Sequence, residues 1–326
     1  MKLSVIYLTR KCPRQCDYCA IRDNAPGRRE LDTSQWINAF SILKEIGVEF
    51  NLILGNEPYL LGTELPEIVN SSGVPYAVYT SGMKHLFEKN KDYYFGDGRI
   101  TNLSIGVDYP MHPYIHLEDD SYEKAIDDWE ALHWIRANYP DVETHATITI
   151  HKKNYEYLSL LVAQLNALKV NINVNFIHWD TGGFDFFPPA EQMQDLMFTR
   201  EDLMKLRLVL EDVMKMGHNI QNIEMLQQDF SQMLGMKWHC QGNPYGGPTV
   251  DSDGSLRVCG YRKGTRTSKY SIFDLPGMVV EWQQAVHDDA MDCSGCSWSC
   301  PWMHHYWEAK DEAIAKKVFI SHNKSE

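Results

Sequence analysis

The sequence lacks any apolar run long enough to span a membrane, and its first residues, MKLSVIYLTRKC, carry no signal-peptide cleavage pattern. It also lacks an excess of basic over acidic residues. The formal net charge of −13 argues against a protein that binds nucleic acid by neutralising phosphates. Internal repeats and low-complexity tracts are missing as well. These absences predict a cytoplasmic protein with no membrane segment and no nucleic-acid partner.

The composition is that of a folded protein with an unusual number of thiols. Hydrophobic residues make up 44% and charged residues 23% of the 326 positions, which is typical of globular chains. This length allows one large core with a small satellite, or two ordinary domains. Disulfides are disfavoured in the cytoplasm, so the eight cysteines need another role. Metal ligation is the leading one.

Short apolar runs alternate with longer amphipathic runs over the first two thirds of the chain. The strand candidates are LSVIYL, FNLILG, YAVYTS, TNLSIGVD, HATITIH and NVNFIHW. The helix candidates between them are TSQWINAFSILKEIG, LPEIVNSS, HLFEKNKDYY, YEKAIDDWEALHWIRANY and NYEYLSLLVAQLNALK. This alternation predicts an α/β fold with a parallel sheet and right-handed crossovers. The pattern leaves open whether the sheet is an open barrel or doubly wound.

The last third of the chain has a different character. After the connector GGFDFFPPAEQ and the helix candidate TREDLMKLRLVLEDVMKMG, glycine, proline and cysteine become dense. The segment PTVDSDGSLRVCG predicts a β-hairpin that turns on DSDG. A helix candidate at PGMVVEWQQAVHDD and a charged one from His304 follow. We therefore expect one α/β domain over residues 1–220 and a small cysteine-rich domain over 221–326.

Three cysteines lie together directly after the first strand candidate. Cys12, Cys16 and Cys19 fall within KCPRQCDYC. Three thiolates cannot by themselves complete a tetrahedral zinc site or fill all positions of a four-iron cluster. A four-iron cluster on three cysteines keeps one iron open to an outside ligand. The alternatives are a zinc loop or three unrelated buried thiols.

The C-x-x-x-C-x-x-C spacing, with Tyr18 just before the last cysteine, resembles the signature loop of the radical S-adenosylmethionine (SAM) superfamily. The resemblance implies a partial (β/α)6 TIM-like barrel. It also implies a [4Fe-4S] cluster on Cys12, Cys16 and Cys19, with SAM chelating the open iron through its amino group and carboxylate.

Polar residues at the ends of later strands extend the resemblance. Gly55, Asn56, Glu57 and Pro58 of LGNEP are similar to the family's glycine–glycine–glutamate–proline segment, which receives the SAM amino group. Asn56 departs from the usual second glycine. By the same similarity, other strand ends face the SAM carboxylate and ribose, or lie near SAM: Thr80, Ser81, Ser104, Asp108, Thr149 and Asn154. Ordinary capping of strand ends is the alternative reading of these side chains.

A second cysteine group lies near the C-terminus. Its spacing, with Gly254 in the hairpin turn, resembles the twitch domain, a shortened relative of the SPASM domain. The resemblance implies a second, auxiliary [4Fe-4S] cluster on four cysteines: Cys240, Cys259, Cys293 and Cys296. A structural zinc ribbon is the alternative. Cys300 is left over as a substitute ligand, a buried thiol or a catalytic hydrogen-atom donor.

The family resemblance implies reductive cleavage of SAM and abstraction of a substrate hydrogen by the 5′-deoxyadenosyl radical. Oxidation or cross-linking is expected first, with epimerisation using Cys300 as the alternative. The chain begins at its first strand without a preceding peptide-recognition module. This favours a small molecule such as a sugar, aminoglycoside or nucleoside over a short peptide.

A reducing partner such as flavodoxin or ferredoxin is also implied by the resemblance. The competing hypothesis from another class is a non-catalytic iron–sulfur or zinc protein.

Overall fold

The computed structural model describes residues 3–14, 16–19, 29–96, 99–111, 119–177, 190–216, 220–221, 246–260 and 262–293. Its strands are β1 (Leu3–Tyr7), β2 (Phe50–Leu54), β3 (Tyr76–Thr80), β4 (Asn102–Gly106), β5 (Glu143–Ile150), β6 (Asn171–Phe176), β7 (Thr249–Val250) and β8 (Leu256–Arg257). Its α-helices are α1 (Thr33–Glu45), α2 (Glu64–Asn70), α3 (Lys84–Lys89), α4 (Asp119–Asn138), α5 (Leu158–Ala167), α6 (Arg200–Lys215) and α7 (Leu275–Met291). Residues 182–189 of the predicted connector GGFDFFPPAEQ lie outside the described residues, as does the whole helix predicted from His304.

The sheet follows the order β6-β5-β4-β3-β2-β1-β7-β8. Strands β1 to β6 are parallel neighbours in sequence order. A doubly wound sheet reverses its strand order at a switch point, and the run from β1 to β6 has no such reversal. The α/β fold with a parallel sheet is therefore confirmed, and its topology is that of an open, barrel-like sheet.

The two faces of the sheet pack differently. Ile6 of β1 and Ile53 of β2 belong to the large core shared with the helices. Val5, Tyr7 and Leu52 point to the opposite face and join a much smaller apolar cluster. Successive strand residues alternate between faces, so one face is covered by helices and the other lines the concave side of the sheet.

Local capping explains where two predicted helices begin and where one of them ends. The Asp32 carboxylate accepts the Gln35 backbone N–H at 2.9 Å, and the Gln35 side chain accepts the Asp32 N–H in return. Gly47, with φ of +83°, follows the last turn of α1 in the left-handed region. Thr199 and Asp202 form the same reciprocal cap at the start of α6.

The predicted hairpin is confirmed, and it extends the main sheet. Strand β7 pairs parallel to β1, with Val5 opposite Thr249, and β8 pairs antiparallel to β7. Gly254 in the turn has φ of +81°, which suits a residue without Cβ. In the parts of the chain that the structure describes, no helix is long and apolar enough to cross a membrane.

Candidate functional site

The first cysteine group forms a loop directly beyond the carboxyl end of β1. Cys12, Cys16 and Cys19 are half-buried thiols. The Cys19 N–H donates to the Cys16 carbonyl at 3.0 Å, which closes a tight turn between these two ligand candidates. Burial raises the pKa of the Cys12 thiol to about 11, so without a bound metal this thiol is protonated at neutral pH.

The donor set fits a cluster better than a lone ion. Within the described ranges, no three Cys, His, Asp or Glu side chains are gathered closely enough to hold a single metal ion. A four-iron cluster asks for a different arrangement, since each thiolate binds a different iron. Cys12, Cys16 and Cys19 supply three such donors on one loop at the carboxyl edge of a parallel sheet.

Gly55 brings the end of β2 against the end of β1. Its φ is +118°, and a Cβ at this position would lie 2.8 Å from the Thr9 carbonyl oxygen and 3.2 Å from the Leu8 nitrogen. A side chain cannot be accommodated so close to backbone atoms without displacing them. The predicted glycine is therefore required here by the close approach of two strands just before the cysteine loop.

The next two residues tie the cysteine loop to β2. The Asn56 N–H donates to the Thr9 carbonyl at 3.2 Å, and the Glu57 N–H donates to the Lys11 carbonyl at 3.0 Å. The Asn56 side-chain amide also donates to the Arg10 carbonyl. This last bond gives a physical reason for asparagine where the related segment has glycine: its amide binds a carbonyl between the other two.

Glu57 is fully buried and surrounded by donors from two strand ends. Its carboxylate accepts the Thr80 hydroxyl at 2.9 Å, the Ser81 N–H at 2.9 Å and the Ser81 hydroxyl. The Tyr59 N–H donates to it at 3.1 Å from the short turn that Pro58 opens. Burial raises the pKa of Glu57, and these hydrogen bonds oppose the rise. The structure thus brings Glu57, Thr80 and Ser81 into one cluster.

Asp108, just beyond β4, receives donors from three other segments. Its carboxylate accepts the Tyr18 hydroxyl, the Lys124 ammonium at 2.7 Å and the Thr149 N–H at 3.0 Å. The Asn154 amide donates to the Asp108 carbonyl at 3.0 Å. Burial alone raises the pKa of Asp108, but Lys124 and these hydrogen bonds outweigh it and hold the pKa below its usual value. Asp108 is thereby joined to the cysteine loop through Tyr18.

Sequence reasoning missed the residues that continue this network. Lys124 also binds Asp128 at 2.8 Å, and the Arg14 guanidinium binds the other Asp128 oxygen. Burial raises the pKa of Asp128 to about 6 against the opposing effect of both cations. Lys124 and Asp128 lie four apart in α4, a visible pairing, but the sequence does not show that Asp128 is buried or that Arg14 of the cysteine loop binds it.

Ser104 is the predicted residue that lies apart from both clusters. Its hydroxyl is 2.7 Å from the Thr147 hydroxyl across β4 and β5. That contact fits a cross-strand pair of the sheet. The predicted role of Ser104 toward SAM stays a prediction.

The hairpin places one cysteine of the second group beside β1. Cys259 packs on the concave-face cluster that contains Tyr7. The Tyr7 hydroxyl donates to the Gly260 carbonyl at 2.9 Å. Cys293 follows α7, where its N–H donates to the Ala290 carbonyl at 3.1 Å. The other three predicted residues of this group lie outside the described residues: Cys240, Cys296 and Cys300.

A buried ion cluster joins the hairpin to the start of the cysteine loop. The Asp251 carboxylate accepts Arg10 Nε at 2.8 Å and Arg257 Nη1 at 2.9 Å. Asp251 and Arg257 are each only 1% exposed. Arg10 and Arg257 hold the pKa of Asp251 below its usual value although burial alone raises it. The residues two positions before Cys12 and Cys259 thus bind the same carboxylate.

Comparison with known proteins supplies the family of this part of the chain. Residues 6–165, which include the cysteine loop, the Gly55–Glu57 segment and strands β2 to β5, match the model of the Radical SAM superfamily. This segment is a radical SAM domain. The predicted resemblance is therefore confirmed for the domain, while the twitch assignment stays a prediction.

One sequence relative and several solved structures are similar to parts or all of the chain. A protein of Methanopyrus kandleri described as "Probable GTP 3',8-cyclase" is 37% identical over 67 residues, 21% of this chain and 22% of that protein. The SAM-bound structure of Streptococcus suis SuiB has a TM-score of 0.55 at 15% identity, covering 79% of this chain and 60% of that one. The match therefore spans about a fifth of the Methanopyrus kandleri protein and three fifths of the SuiB chain.

The structure of anSMEcpe with bound AdoMet matches almost end to end. It has a TM-score of 0.58 at 12% identity, covering 98% of this chain and 99% of that chain. SuiB has also been solved bound to its precursor peptide SuiA, and anSMEcpe bound to the Cp18Cys peptide. At such low identity the likeness to both proteins concerns the fold.

Proposed function

We propose that this chain is a radical SAM enzyme whose cluster is held by Cys12, Cys16 and Cys19. The observation that carries the proposal is the junction between the cysteine loop and the Gly55–Glu57 segment. Three half-buried thiols lie on a loop whose backbone is bonded to that segment, inside a domain that matches the radical SAM superfamily. Ligands of parallel α/β folds bind at this carboxyl edge of the sheet.

When bound, a [4Fe-4S] cluster held by Cys12, Cys16 and Cys19 would supply the electron for reductive cleavage of SAM to methionine and a 5′-deoxyadenosyl radical, which would abstract a hydrogen atom from the substrate. The chain's own part is to bind, orient and exclude water. In the proposal, Glu57 with its neighbours Thr80 and Ser81 forms the acceptor region for the SAM amino group. Ser104 and Asp108 belong to the further strand ends proposed to face SAM.

For the substrate, the proposal covers a short peptide or a small molecule. The two similar folds described above, SuiB and anSMEcpe, were each solved with a peptide bound. This supports a peptide as the first substrate class to try for this chain. Deuterium-labelled candidates whose label appears in 5′-deoxyadenosine would identify the hydrogen that is abstracted, and substrates that transfer no label would be eliminated.

For the reaction outcome, we propose oxidation or cross-linking ahead of epimerisation. An auxiliary [4Fe-4S] cluster on Cys240, Cys259, Cys293 and Cys296 would serve as the electron acceptor that oxidation needs. If it exists, a variant with all three N-terminal cysteines changed to alanine retains about one cluster's worth of iron and sulfide. Loss of all iron in that variant would remove the auxiliary cluster from the proposal.

Cys300 provides the test between the two outcomes. As a hydrogen-atom donor it would make Cys300→Ala stall turnover while iron content stays unchanged. An unchanged yield of epimer in that variant would reject the donor role.

The central experiment is anaerobic reconstitution with iron and sulfide, followed by SAM and dithionite. The proposal predicts 5′-deoxyadenosine and methionine in equal amounts from the wild type and none from the triple cysteine-to-alanine variant. A reconstituted wild type that holds its cluster but forms no 5′-deoxyadenosine would contradict the proposed enzyme activity and favour a non-catalytic iron–sulfur protein. A reducing protein such as flavodoxin can then replace dithionite.

A further inference from the structure

Each interval between the cysteines contributes one side chain to the same buried network. Arg14 stands between Cys12 and Cys16, and Tyr18 between Cys16 and Cys19. Arg14 binds the Asp128 carboxylate, and the Tyr18 hydroxyl donates to the Asp108 carboxylate. The two cysteine intervals are therefore anchored separately, at two different carboxylates.

Lys124 joins these two anchors. Its ammonium lies 2.7 Å from Asp108 and 2.8 Å from Asp128, and both carboxylates are 1% exposed. Two buried anions are balanced by the Lys124 and Arg14 cations, so loss of either cation would leave an uncompensated buried charge. One ammonium on α4 thus holds in place the groups that receive both loop side chains.

Tyr18 is fixed by more than its hydroxyl. Its ring stacks on His151, with ring centroids 5.8 Å apart and planes 29° apart. It also packs against the small apolar cluster that includes Ile177 and Met193. The backbone N–H groups of Asn56 and Glu57 bind the carbonyls of Thr9 and Lys11, which precede the first cysteine. Tyr18 and Arg14 anchor the chain after Lys11, between the cysteines.

The network also sets the charge close to the cysteine loop. Arg14 and Tyr18, each two residues from Cys16, bind the carboxylates of Asp128 and Asp108, and Lys124 binds both carboxylates. Without the Lys124 charge, two buried carboxylates would face one cation beside the loop. A cluster on three thiolates would gain a further negative charge on reduction, so this excess of negative charge would make reduction harder.

We propose that Lys124 is a positioning residue for the cysteine loop, holding it in its ligating conformation through Tyr18 and Arg14 and raising the reduction potential of the cluster. The positioning part concerns the chain alone, whereas the potential part rests on the proposed function. Lys124 therefore acts at a distance and touches neither SAM nor iron in this assignment.

Hydrogen–deuterium exchange of the full chain before reconstitution tests the positioning part. Lys124→Gln and Tyr18→Phe should each speed exchange of a peptide covering residues 10–19 by about tenfold or more, as expected for loss of a hydrogen bond to a charged group. Lys84→Gln is the matched control, since Lys84 is a surface lysine that binds Glu88 and Glu130. Exchange in the control should equal that of the wild type.

Redox titration of the reconstituted protein tests the electrostatic part. The midpoint potential should fall in Lys124→Gln, stay near wild type in Lys124→Arg, and stay near wild type in Tyr18→Phe, which keeps the charge. A purely structural role of Lys124 would speed loop exchange in both Lys124→Gln and Tyr18→Phe, but it would not lower the midpoint potential in Lys124→Gln alone. A potential in Lys124→Gln equal to that of the wild type would overturn the electrostatic part.

Two further outcomes are decisive. If Lys124→Gln does not fold, Tyr18→Phe decides positioning and Lys124→Arg decides charge. Unchanged loop exchange in Tyr18→Phe, or a lowered potential in Lys124→Arg, then overturns the corresponding part. A wild type that binds no cluster would defeat the proposed function alone, because loop exchange is measured without iron.

Discussion

The cysteine loop follows β1, and the hairpin of β7 and β8 pairs with the same strand. Cysteine lies next to a buried ion cluster in each region. They differ in where their carboxylates come from. The loop uses Asp108 and Asp128, which lie beyond β4 and in α4. The hairpin supplies Asp251 itself and takes Arg10 from the other region. The loop is thus held by carboxylates from distant parts of the radical SAM domain. The hairpin supplies its own carboxylate, Asp251, which binds both Arg257 of the hairpin and Arg10 at the start of the loop.

Because Asp251 binds an arginine of each region, substituting it tests whether this ion cluster joins the two. Asp251→Ala should lower the free energy of unfolding by about 3–5 kcal/mol, because it leaves two buried guanidinium groups without their carboxylate. Urea denaturation before reconstitution measures the change. Asp253→Ala, in the same turn, is the control and should cost under about 1 kcal/mol. Equal losses in the two variants would show that the Asp251 cluster does not join the regions.

Gly55 tests the attachment of the loop to β2. Gly55→Ala should cost about 2–4 kcal/mol and reduce iron retention, because its Cβ would meet the Thr9 carbonyl oxygen at a position with φ of +118°. Iron analysis and urea denaturation provide the two readouts. Gly73→Ala is matched in needing positive φ, +69°, but has no heavy atom within 4 Å of the added Cβ. A loss in Gly73→Ala as large as that in Gly55→Ala would remove the close-approach explanation.

Ser81 tests the donors around Glu57. Ser81→Ala removes one of the hydrogen bonds to a buried carboxylate and should cost about 1.5–3 kcal/mol. We also expect weaker SAM binding by the reconstituted protein, measured by calorimetry, since one of the hydrogen bonds that orient the Glu57 carboxylate would be lost. Ser34→Ala is a fitting control because Ser34 donates to the exposed Asp32 carboxylate. Unaltered SAM affinity in Ser81→Ala would separate Ser81 from the cofactor site.

The smallest expected effect is on the pH dependence of stability, which tests the charge of Asp251 in the hairpin. Arg10 and Arg257 hold the pKa of Asp251 below its unfolded value, so its contribution is present above about pH 4 and is lost as pH falls through the folded pKa. The stability difference between wild type and Asp251→Asn should therefore be constant near neutral pH and narrow in acid. Denaturant titrations from pH 7 downward measure it. A difference that widens in acid would have the wrong sign.

Much of the fold could be predicted because its signals are local. The β-branched runs, the Asp32 cap, Gly47 and the DSDG turn each depend on neighbours in sequence, and the structure has all of them. The barrel-like strand order was not visible in the pattern, which also allowed a doubly wound sheet. Strand order depends on packing between elements far apart in the chain.

The candidate site was predictable only in part. Cys12 and Glu57 stand in motifs with recognisable spacing, so the residues could be named before their contacts were known. Lys124 and Asp251 could not, because Asp108 binds Lys124 from another element and Arg10 binds Asp251 from 241 residues away. Asn56 was a departure from a pattern, and only its bond to the Arg10 carbonyl explains it.

The central claim is that three cysteines leave one iron of the cluster open to SAM. Electron paramagnetic resonance of the reduced, reconstituted protein with and without SAM tests it most directly. We predict that SAM changes the spectrum in the wild type, as it would if it bound the iron that Cys12, Cys16 and Cys19 leave open, and that the triple cysteine variant shows no such change. A reduced wild-type spectrum that is identical with and without saturating SAM would contradict the account.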